Sequence, residues 1–352
     1  MKTIHVSASR EYDVQIGAGL LAQAGVLCRS AAPAGRALIV SDDTVWPLYG
    51  AALKAALEAA DYAADVFVFP HGEPSKNAHT YLALLSALAE KGFTRGDIVV
   101  ALGGGVTGDL SGFAAATYMR GMRWVQVPTT LLAAVDASVG GKTAIDLPAG
   151  KNLAGAFWQP SLVLCDCAAL DTLPPAVFTD GCAEVIKYGI IADASLFDAL
   201  RAPIRPQLEA VIAACVAIKR DVVQSDEFDT GRRKLLNFGH TLGHAVEKRS
   251  GFSVSHGRAV AIGMAWAARA AHSRGLCSAG CVREIRALLA QYGLPTETDD
   301  DAAALAQTML ADKKRTGGTI DLILPQEIGR CVIVPTPVGE LEALVRAGME
   351  AV

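Results

Sequence analysis

The amino-acid sequence predicts an α/β amino-terminal domain followed by a mostly α-helical carboxy-terminal domain. In the first half, short apolar segments alternate with stretches of helical periodicity, which is typical of a parallel sheet covered by helices. After Pro174-Pro175 the strand pattern largely stops and helical segments follow one another. Because 352 residues is long for one hydrophobic core, we expect two domains, residues 1–173 and 174–352.

The elements of the first domain are expected in regular alternation. Residues 1–6 show the alternating pattern of a strand and contain no apolar core of a signal peptide. The apolar segments predict strands at 36–41, 65–69, 97–102, 124–127 and 161–165. The periodicity between them predicts helices at 48–60, at 80–91 and from Asp109 onward.

The second domain is expected to consist mainly of helices. Its longest apolar stretch, residues 259–268, is too short to cross a bilayer and is followed by Arg269, so we expect no membrane segment. Helical periodicity covers residues 179–191, 207–221, 235–247, 259–274, 282–292 and 302–313, with late strands expected at 319–325 and 330–334.

The composition excludes several classes of protein. Hydrophobic residues make up 51% and charged residues 19% of the chain, which is typical of a packed globular protein. A net charge of −4, with no long run of Lys or Arg, gives no electrostatic basis for binding nucleic acid. The eight cysteines are scattered and form no Cys-x-x-Cys pair, so we expect buried, reduced thiols in a cytoplasmic protein.

The chemistry is concentrated in residues 236–247 and 255–257. This region holds three of the seven histidines, and His240 and His244 share one face of a predicted helix. With Glu184 as an oxygen ligand, two histidines would leave a coordination position of zinc open, as in catalytic sites. The spacing of the histidines along the chain makes His244 as good a candidate as His256 for the second nitrogen ligand. The alternative is that one histidine caps or packs while the others lie on the surface.

Glu184 and Lys187 lie three residues apart within Ala183-Glu-Val-Ile-Lys187. On a helix this spacing places the carboxylate and the ammonium on the same face. The pair is either part of the predicted site or an ordinary surface ion pair.

A glycine-rich turn, Gly103 to Asp109, follows one of the predicted strands. Glycines in this position let a pyrophosphate approach the backbone, and the next helix directs its N–H groups toward the anion. Asp42, at the end of an earlier strand, is a candidate partner for a ribose. These features predict a Rossmann-like dinucleotide site; the alternative is a tight strand–helix turn.

Cationic side chains predict an anionic substrate. Lys142 and Lys151 lie in segments flanked by glycine, which resemble anion-binding loops. Each of these side chains alone is often only a solvated charge, but together they favour a ligand that bears carboxylate or phosphate. The other candidates are Lys76, Lys219, Arg233, Arg120 and the run 313–315.

These motifs together resemble the 3-dehydroquinate synthase family of the sugar-phosphate cyclase superfamily, and the resemblance covers nearly the whole chain. Its specificity lies in the order and spacing of the segments more than in any one of them. They are His71-Gly-Glu-Pro-Ser-Lys76, Gly103-Gly-Gly-Val-Thr-Gly-Asp109, Val127-Pro-Thr-Thr130, Val135-Asp-Ala-Ser-Val-Gly-Gly-Lys-Thr143, Gly150-Lys-Asn152, Ala183-Glu-Val-Ile-Lys-Tyr-Gly189, Leu236-Asn-Phe-Gly-His-Thr-Leu-Gly-His244 and His256-Gly-Arg-Ala-Val-Ala-Ile-Gly-Met264.

The resemblance implies a dehydroquinate synthase-like fold, a homodimer and an active site in the cleft between the domains. It implies zinc or cobalt on Glu184, His240 and His256, with His244 contacting the substrate. NAD is implied at Asp42, Glu73, Lys76, Gly104, Gly105, Val106, Asp109, Thr129, Thr130, Asp136, Lys142, Lys151 and Thr172. The substrate is implied at Lys142, Asn152, Lys187, Lys219, Arg233, Asn237 and His244, with Arg120 reaching its phosphate from the neighbouring subunit, helped by Lys313 or Lys314.

The resemblance also implies the reaction, which belongs to the shikimate pathway. In this family 3-deoxy-D-arabino-heptulosonate 7-phosphate is oxidised transiently by NAD, loses phosphate, is reduced again and closes by an intramolecular aldol step to 3-dehydroquinate. The alternatives are a cyclase for another sugar phosphate, a metal-dependent alcohol dehydrogenase of related fold, and an inactive NAD-binding homologue.

Three positions depart from the commonest family pattern. Arg258 stands where Glu is frequent, Asp146 where Asn is frequent, and Val177 where an acid is usual. Arg258 changes the charge two residues from a predicted metal ligand, where outer residues can alter metal affinity.

Overall fold

The structure is a computed structural model that describes residues 1–311, 315–316 and 318–350. Its strands are β1 (Lys2–Val6), β2 (Tyr12–Gly17), β3 (Arg36–Asp42), β4 (Ala63–Phe69), β5 (Ile98–Gly103), β6 (Arg123–Pro128), β7 (Lys142–Leu147), β8 (Gly150–Phe157), β9 (Leu162–Asp166), β10 (Arg315–Thr316), β11 (Thr319–Glu327) and β12 (Arg330–Pro337). Its helices are α1 (Ala24–Ala31), α2 (Ala51–Glu58), α3 (Ala78–Glu90), α4 (Gly105–Thr117), α5 (Pro175–Ala192), α6 (Ala194–Ala199), α7 (Leu208–Ser225), α8 (His240–Arg249), α9 (His256–Ser273), α10 (Ala279–Gln291), α11 (Ala302–Ala311) and α12 (Leu341–Met349).

The chain forms two compact units. The first comprises Met1–Pro174 and Leu208–Phe228, and the second comprises residues 175–207 with those described beyond residue 228. The first is an α/β unit and the second is mainly helical, which confirms the predicted fold class. Among the described residues, no helix combines the length and apolar character needed to span a membrane.

The first unit is built on a seven-stranded sheet with the order β1-β2-β9-β6-β5-β3-β4. β1 pairs antiparallel with β2, and the remaining neighbours pair in parallel. Alternate residues of each strand face opposite sides, so Ile39 and Val100 join one buried cluster while Leu38 and Val99 join the other. Helices therefore cover both faces, and this explains why the central strands are apolar throughout.

The strands that follow β3 along the chain lie on opposite sides of it in the sheet. β4 lies on one side of β3 and β5 lies on the other, so the carboxyl ends of β3 and β5 form a topological switch point. In open parallel sheets, ligands bind at such points, outside the carboxyl ends of the strands. Asp42 ends β3, and the glycine-rich segment runs from Gly103, the last residue of β5, into the start of α4 at Gly105, earlier than the helix expected from Asp109. Both predicted nucleotide-binding elements therefore lie at this switch point.

The segment from Lys142 to Phe157 corrects one expectation. The lysines predicted in glycine-flanked loops lie in strands, because β7 and β8 pair as an antiparallel hairpin. Lys142 opens β7, and Lys151 is the second residue of β8. The flanking glycines serve the turns: Gly140, Gly141 and Gly150 have positive φ angles, which glycine adopts without a steric penalty.

Helix α7 belongs to the first unit although it lies after the predicted domain boundary. Its Lys219 contacts Asp136 of the first unit, and the helix packs on β1 and β2. The units therefore differ from residues 1–173 and 174–352 by Pro174 and by one exchanged segment, Leu208–Phe228. Helical periodicity shows that an apolar face is buried but does not show which core buries it.

In the second unit, two helix starts differ from the sequence-based expectation in a way that matters for the histidines. α8 begins at His240 and not at 235, because Gly239 is left-handed with φ +78° and residues 232–237 form 3-10 turns. α9 begins at His256 and not at 259. Both histidines therefore occupy the first position of a helix.

Candidate metal and nucleotide sites

Glu184, His240 and His256 come together within the second unit. The Glu184 Oε1 atom lies 3.3 Å from Nε2 of His240 and 3.2 Å from Nε2 of His256. Ligand atoms about 2.0–2.1 Å from a tetrahedral zinc ion are separated from one another by about 3.3 Å. Glu184 Oε1 therefore lies from each nitrogen at the spacing of neighbouring ligands, and all three ligand atoms lie within 4.8 Å of one another.

Close helix packing creates this arrangement. Gly239 and Gly263 bring α8 against α9, since a Cβ on Gly263 would lie 1.9 Å from the Gly239 carbonyl oxygen. Gly257 brings α9 against α5 in the same way, because its Cβ would lie 2.1 Å from the Asp180 carbonyl oxygen. The Asp180 carboxylate also accepts hydrogen bonds from Ser255 Oγ at 2.5 Å and from the Arg258 amide at 3.2 Å. These contacts fix the beginning of α9 one helical turn from Glu184.

Each histidine is oriented through its Nδ1 atom. His240 Nδ1 lies 3.0 Å from the Phe238 carbonyl oxygen, and His256 Nδ1 lies 3.2 Å from Glu247 Oε2. Because both partners accept hydrogen bonds, each Nδ1 donates its proton to that partner, and Nε2 is the ring nitrogen directed toward Glu184. A hydrogen bond from the ring nitrogen that faces away from the metal to a carbonyl or carboxylate oxygen is typical of metal-binding histidines.

The buried charge of Glu184 is balanced by neighbouring cations. Its Oε2 atom pairs with the Lys187 ammonium, and both side chains are buried, so the pair is not the surface ion pair that the sequence left open. Burial opposes ionisation, but Lys187 and His240 hold the pKa of Glu184 well below its usual range. Burial lowers the pKa of His240 to about 4. Burial acts in the same direction on His256, but Glu184 and Glu247 outweigh it and raise its pKa to about 10.

His244 lies beside this group without joining it. Its ring centroid is 5.4 Å from that of His240 and 6.1 Å from that of His256. A second possible metal group, His244, Glu247 and His256, shares His256 with the first. The first group is better suited to a metal, since both of its histidines direct Nε2 toward a fully buried carboxylate.

In the first unit, the glycine-rich turn offers room for a ligand. None of the glycines 103–105 has a positive φ angle, so the conformation of the turn does not require glycine. Gly103 is needed for packing, because its Cβ would lie 2.3 Å from Thr107 Oγ1. A Cβ on Gly105 would make only an ordinary contact, 3.6 Å from Ala137. The glycine thus leaves space at the amino-terminal end of α4. Because backbone N–H groups point into such a space, it suits a pyrophosphate.

Lys76 connects several predicted nucleotide and substrate residues. Its Nζ atom lies 2.7 Å from Asn152 Oδ1, 3.1 Å from Asp109 Oδ2 and 3.2 Å from Glu73 Oε1. Burial raises the pKa of Asp109 to about 6, although Lys76 acts in the opposite direction. Asp146, one of the departures from the family pattern, accepts the backbone N–H of Asn152 at 2.8 Å. Asp146 thus helps to hold Asn152 in its left-handed conformation, φ +55°.

The remaining predicted residues divide between the two units. In the first unit, the Asp42 carboxylate accepts hydrogen bonds from the backbone amides of Thr44 and Val45. Val106 lies in α4, and Thr129 and Thr130 follow β6. Asp136 pairs with Lys219, and Thr172 contacts Tyr49. Arg233, Asn237, His244 and Lys187 belong to the second unit, where Arg233 is 2% exposed. Arg120 is exposed in a 3-10 turn of the first unit, and Lys313 and Lys314 lie outside the described residues.

Two residues at the metal group had no assigned role in the sequence. Glu247 lies seven residues after His240, so positions 240, 244 and 247 share one face of α8. That spacing could have identified Glu247. Asp180 lies one turn before Glu184 on α5, but its role depends on α9, which is distant in sequence.

Comparisons with known proteins cover nearly the whole chain. Family models described as 3-dehydroquinate synthase N-terminal and 3-dehydroquinate synthase C-terminal match residues 66–180 and 181–315. The chain is 45% identical to a 3-dehydroquinate synthase of Pelobacter propionicus over 348 residues, 96% of each chain. It is 43% identical to one of Enterococcus faecalis over 350 residues, 97% of this chain and 98% of that relative.

Solved structures share the fold over almost the full length. A 2-deoxy-scyllo-inosose synthase complexed with carbaglucose-6-phosphate, NAD+ and Co2+ has a TM-score of 0.88 at 25% identity, covering 98% of this chain and 99% of that one. A 2-epi-5-epi-valiolone synthase from Streptomyces hygroscopicus subsp. jinggangensis with NAD+ and Zn2+ bound has a TM-score of 0.87 at 31% identity, covering 97% and 98%. An iron-containing alcohol dehydrogenase, 14% identical, shares only the fold, with a TM-score of 0.68 and coverage of 98% and 99%.

Proposed function

The chain belongs to the 3-dehydroquinate synthase family, and we propose that it converts 3-deoxy-D-arabino-heptulosonate 7-phosphate to 3-dehydroquinate and phosphate. The observation that carries this proposal is 45% identity to such an enzyme over 96% of the chain. The buried group of Glu184, His240 and His256 supports it independently. The activity is that of a carbon–oxygen lyase in the shikimate pathway of aromatic amino-acid biosynthesis.

Glu184, His240 and His256 would hold zinc or cobalt, the metals present in two solved relatives. One carboxylate and two imidazoles leave a coordination position open for the substrate. Lys187 keeps Glu184 ionised, and Glu184 and Glu247 keep His256 directed toward the same point. When bound, the metal supplies a Lewis acid for a substrate hydroxyl, and NAD supplies a reversible acceptor of hydride.

NAD would lie at the switch point of the parallel sheet. The amino-terminal end of α4 offers backbone N–H groups to the pyrophosphate, and Gly104 and Gly105 keep the approach open. Asp42, at the end of β3, is the candidate acceptor for a ribose hydroxyl. The other residues proposed for NAD are Glu73, Lys76, Val106, Asp109, Thr129, Thr130, Asp136, Lys142, Lys151 and Thr172.

The anionic groups of the substrate would be bound by several cationic and polar side chains. The phosphate and the carboxylate each need several donors to fix a flexible sugar acid in one orientation. His244, next to the metal group, would contact a substrate hydroxyl. The donors proposed for the substrate are Lys142, Asn152, Lys187, Lys219, Arg233, Asn237 and His244, with Arg120 contributed by a second copy of the chain.

We also propose that the protein is a cytoplasmic homodimer. Arg120 is exposed on a 3-10 turn, so a second copy of the chain can reach its side chain. None of the eight cysteines forms a disulfide, which is typical of proteins of the reducing cytoplasm.

The proposed activity is tested by following two signals in one reaction. Purified protein is mixed with 3-deoxy-D-arabino-heptulosonate 7-phosphate, NAD and zinc, and both released phosphate and the near-ultraviolet absorbance of NADH are recorded. We expect phosphate release without lasting NADH, because the hydride returns to the substrate. Chelation of the metal and the Glu184→Ala substitution should each abolish phosphate release.

Two outcomes would contradict the proposal. Accumulating NADH without phosphate would indicate a dehydrogenase, whose fold this chain shares. Phosphate release from sedoheptulose 7-phosphate or glucose 6-phosphate, but not from the heptulosonate, would indicate a different sugar-phosphate cyclase. The lower identity of the two solved cyclases, 25% and 31%, argues against that second outcome.

A further inference from the structure

Glu247 is a buried acid that contacts a proposed metal ligand without facing the metal. It lies in the last turn of α8 and is 5% exposed. Its Oε2 atom is 3.2 Å from Nδ1 of His256, while Nε2 on the opposite side of the same ring is 3.2 Å from Glu184 Oε1. His256 therefore lies between two carboxylates, with Glu247 at Nδ1 and Glu184 at Nε2.

The two carboxylates act on different nitrogen atoms of the ring. A carboxylate beside Nδ1 keeps the proton on that atom, so the lone pair of Nε2 stays available to a cation. The same carboxylate makes the imidazole a stronger base and fixes the plane of the ring. Without it, the ring of His256, which is 32% exposed, could rotate away from Glu184.

His240 offers a comparison within the same site. Its Nδ1 atom donates to the main-chain carbonyl of Phe238, which is set by the start of α8. His256 is the first residue of α9, and its Nδ1 atom contacts a side chain instead of a main-chain carbonyl. That side chain is Glu247 of α8, which takes the place that the Phe238 carbonyl has at His240.

We propose that Glu247 is a positioning residue that holds His256 with Nε2 toward Glu184. This inference rests on the metal role proposed for His256. On this proposal Glu247 does not bind the ion held by Glu184, His240 and His256. Its Oε2 atom lies on the Nδ1 side of the His256 ring, whereas the other ligands lie on the Nε2 side. The group of His244, Glu247 and His256 is thus an orienting contact and not a second metal site.

The side chain of Glu247 can be tested separately from its backbone. The Glu247 carbonyl oxygen accepts the Phe252 amide at 2.9 Å and the Ser250 hydroxyl at 2.9 Å, and these contacts close the turn that leads to His256. A side-chain substitution leaves both acceptors in place.

The experiment measures cobalt binding to three full-length variants and the wild type. Dissociation constants come from competition with a chelator, and visible absorption of bound cobalt reports its ligands. Glu247→Ala should weaken binding by about 10- to 100-fold, the usual effect of removing an orienting partner. Glu247→Gln should stay within severalfold of the wild type, because its amide oxygen accepts the same hydrogen bond, and its cobalt spectrum should be unchanged.

Asp300→Ala is the matched control. Asp300 pairs with Arg249 at 2.8 Å, so this substitution also removes a carboxylate that contacts α8, but away from the histidines. Equal cobalt affinity in Glu247→Ala and Asp300→Ala would overturn the inference. So would an equally weak Glu247→Gln with an altered spectrum, which would identify Glu247 as a ligand. A wild type that binds no cobalt would instead contradict the metal site itself, and the inference with it.

Discussion

At the scale of single residues, the metal group is organised around a charge that needs a cation. Glu184 is fully buried and ionised, and its Oε1 atom lies 3.2 Å from Nε2 of His256, which carries a proton near neutral pH. A divalent metal would replace this proton, because an imidazole must be neutral to coordinate. His240, with a pKa of about 4, is already neutral.

Metal uptake should therefore release one proton. The pKa of His256 is about 10, so near neutral pH the metal-free site holds a proton that the metal must displace. The apparent affinity for zinc should rise by about tenfold for each pH unit gained, and this dependence should fade as the pH approaches 10. Calorimetric titration in buffers with different ionisation enthalpies measures the number of protons released. Heats that do not depend on the buffer would contradict this prediction.

Asp109 should make stability depend on pH. Burial raises its pKa to about 6, so the folded protein holds this proton more tightly than the unfolded chain does. The resulting stability is present below about pH 4 and is lost as the pH rises through about 6. Relative to Asp109→Asn, the wild type should lose about 2 kcal/mol between these limits. Urea unfolding of the NAD-free proteins across this range measures the difference, and parallel pH curves would contradict it.

At the scale of elements, glycines set the distances between the helices that carry the ligands. Gly257 lies where α9 crosses α5, and Gly239 and Gly263 lie where α8 meets α9. The periodicity of a helix indicates its buried face but not how closely another helix approaches it. The convergence of His240 and His256 on Glu184 depends on that approach.

Gly257→Ala should separate α9 from α5. Its Cβ would lie 2.1 Å from a backbone oxygen of Asp180, which cannot rotate away, so the helices must shift. We expect a loss of about 1–3 kcal/mol in stability, with weaker cobalt binding, measured by urea unfolding and chelator competition. Gly339→Ala is the control, since a Cβ there meets no atom within 4 Å. Cobalt affinity equal to that of the control would show that this crossing does not set the metal site.

At the scale of the whole molecule, the proposed residues are distributed over two units and, for Arg120, over two copies of the chain. All three proposed metal ligands belong to the second unit, while Arg120 and the residues proposed for NAD belong to the first. A homodimer in which Arg120 serves the partner's active site makes a specific prediction about mixed subunits.

Two inactive variants should complement each other. When Glu184→Ala and Arg120→Ala subunits are mixed after dissociation, a hybrid dimer has one site with both an intact Glu184 and an Arg120 from its partner. Random pairing should restore about a quarter of wild-type activity. Phosphate release by the mixture, compared with each variant alone, measures this. Failure to regain activity although hybrids form would place Arg120 in its own subunit's site or outside the site.

The sequence anticipated the elements better than their boundaries and partners. The predicted parallel strands appear within one or two residues, because buried strands are continuously apolar. The hairpin of β7 and β8 was missed because its glycines and lysines resemble a loop, and the two strands form a sheet separate from the seven-stranded one. Helix α7 was predicted as a helix, but its place beside Asp136 depends on contacts distant in sequence.

The sequence by itself determined the fold class and identified the residue types at the site. Periodicity is local, and the spacing of apolar residues reports directly on helix and strand. The spacing of the histidines left His244 and His256 open as ligands, and only the family resemblance favoured His256. The tertiary structure alone shows the contacts, with His256 Nε2 at Glu184, His256 Nδ1 at Glu247, and Asp180 at the start of α9. The spacing of histidines along a chain indicates which side chains share a helix face. The distances between the ligand atoms, in contrast, are set by how closely separate helices pack.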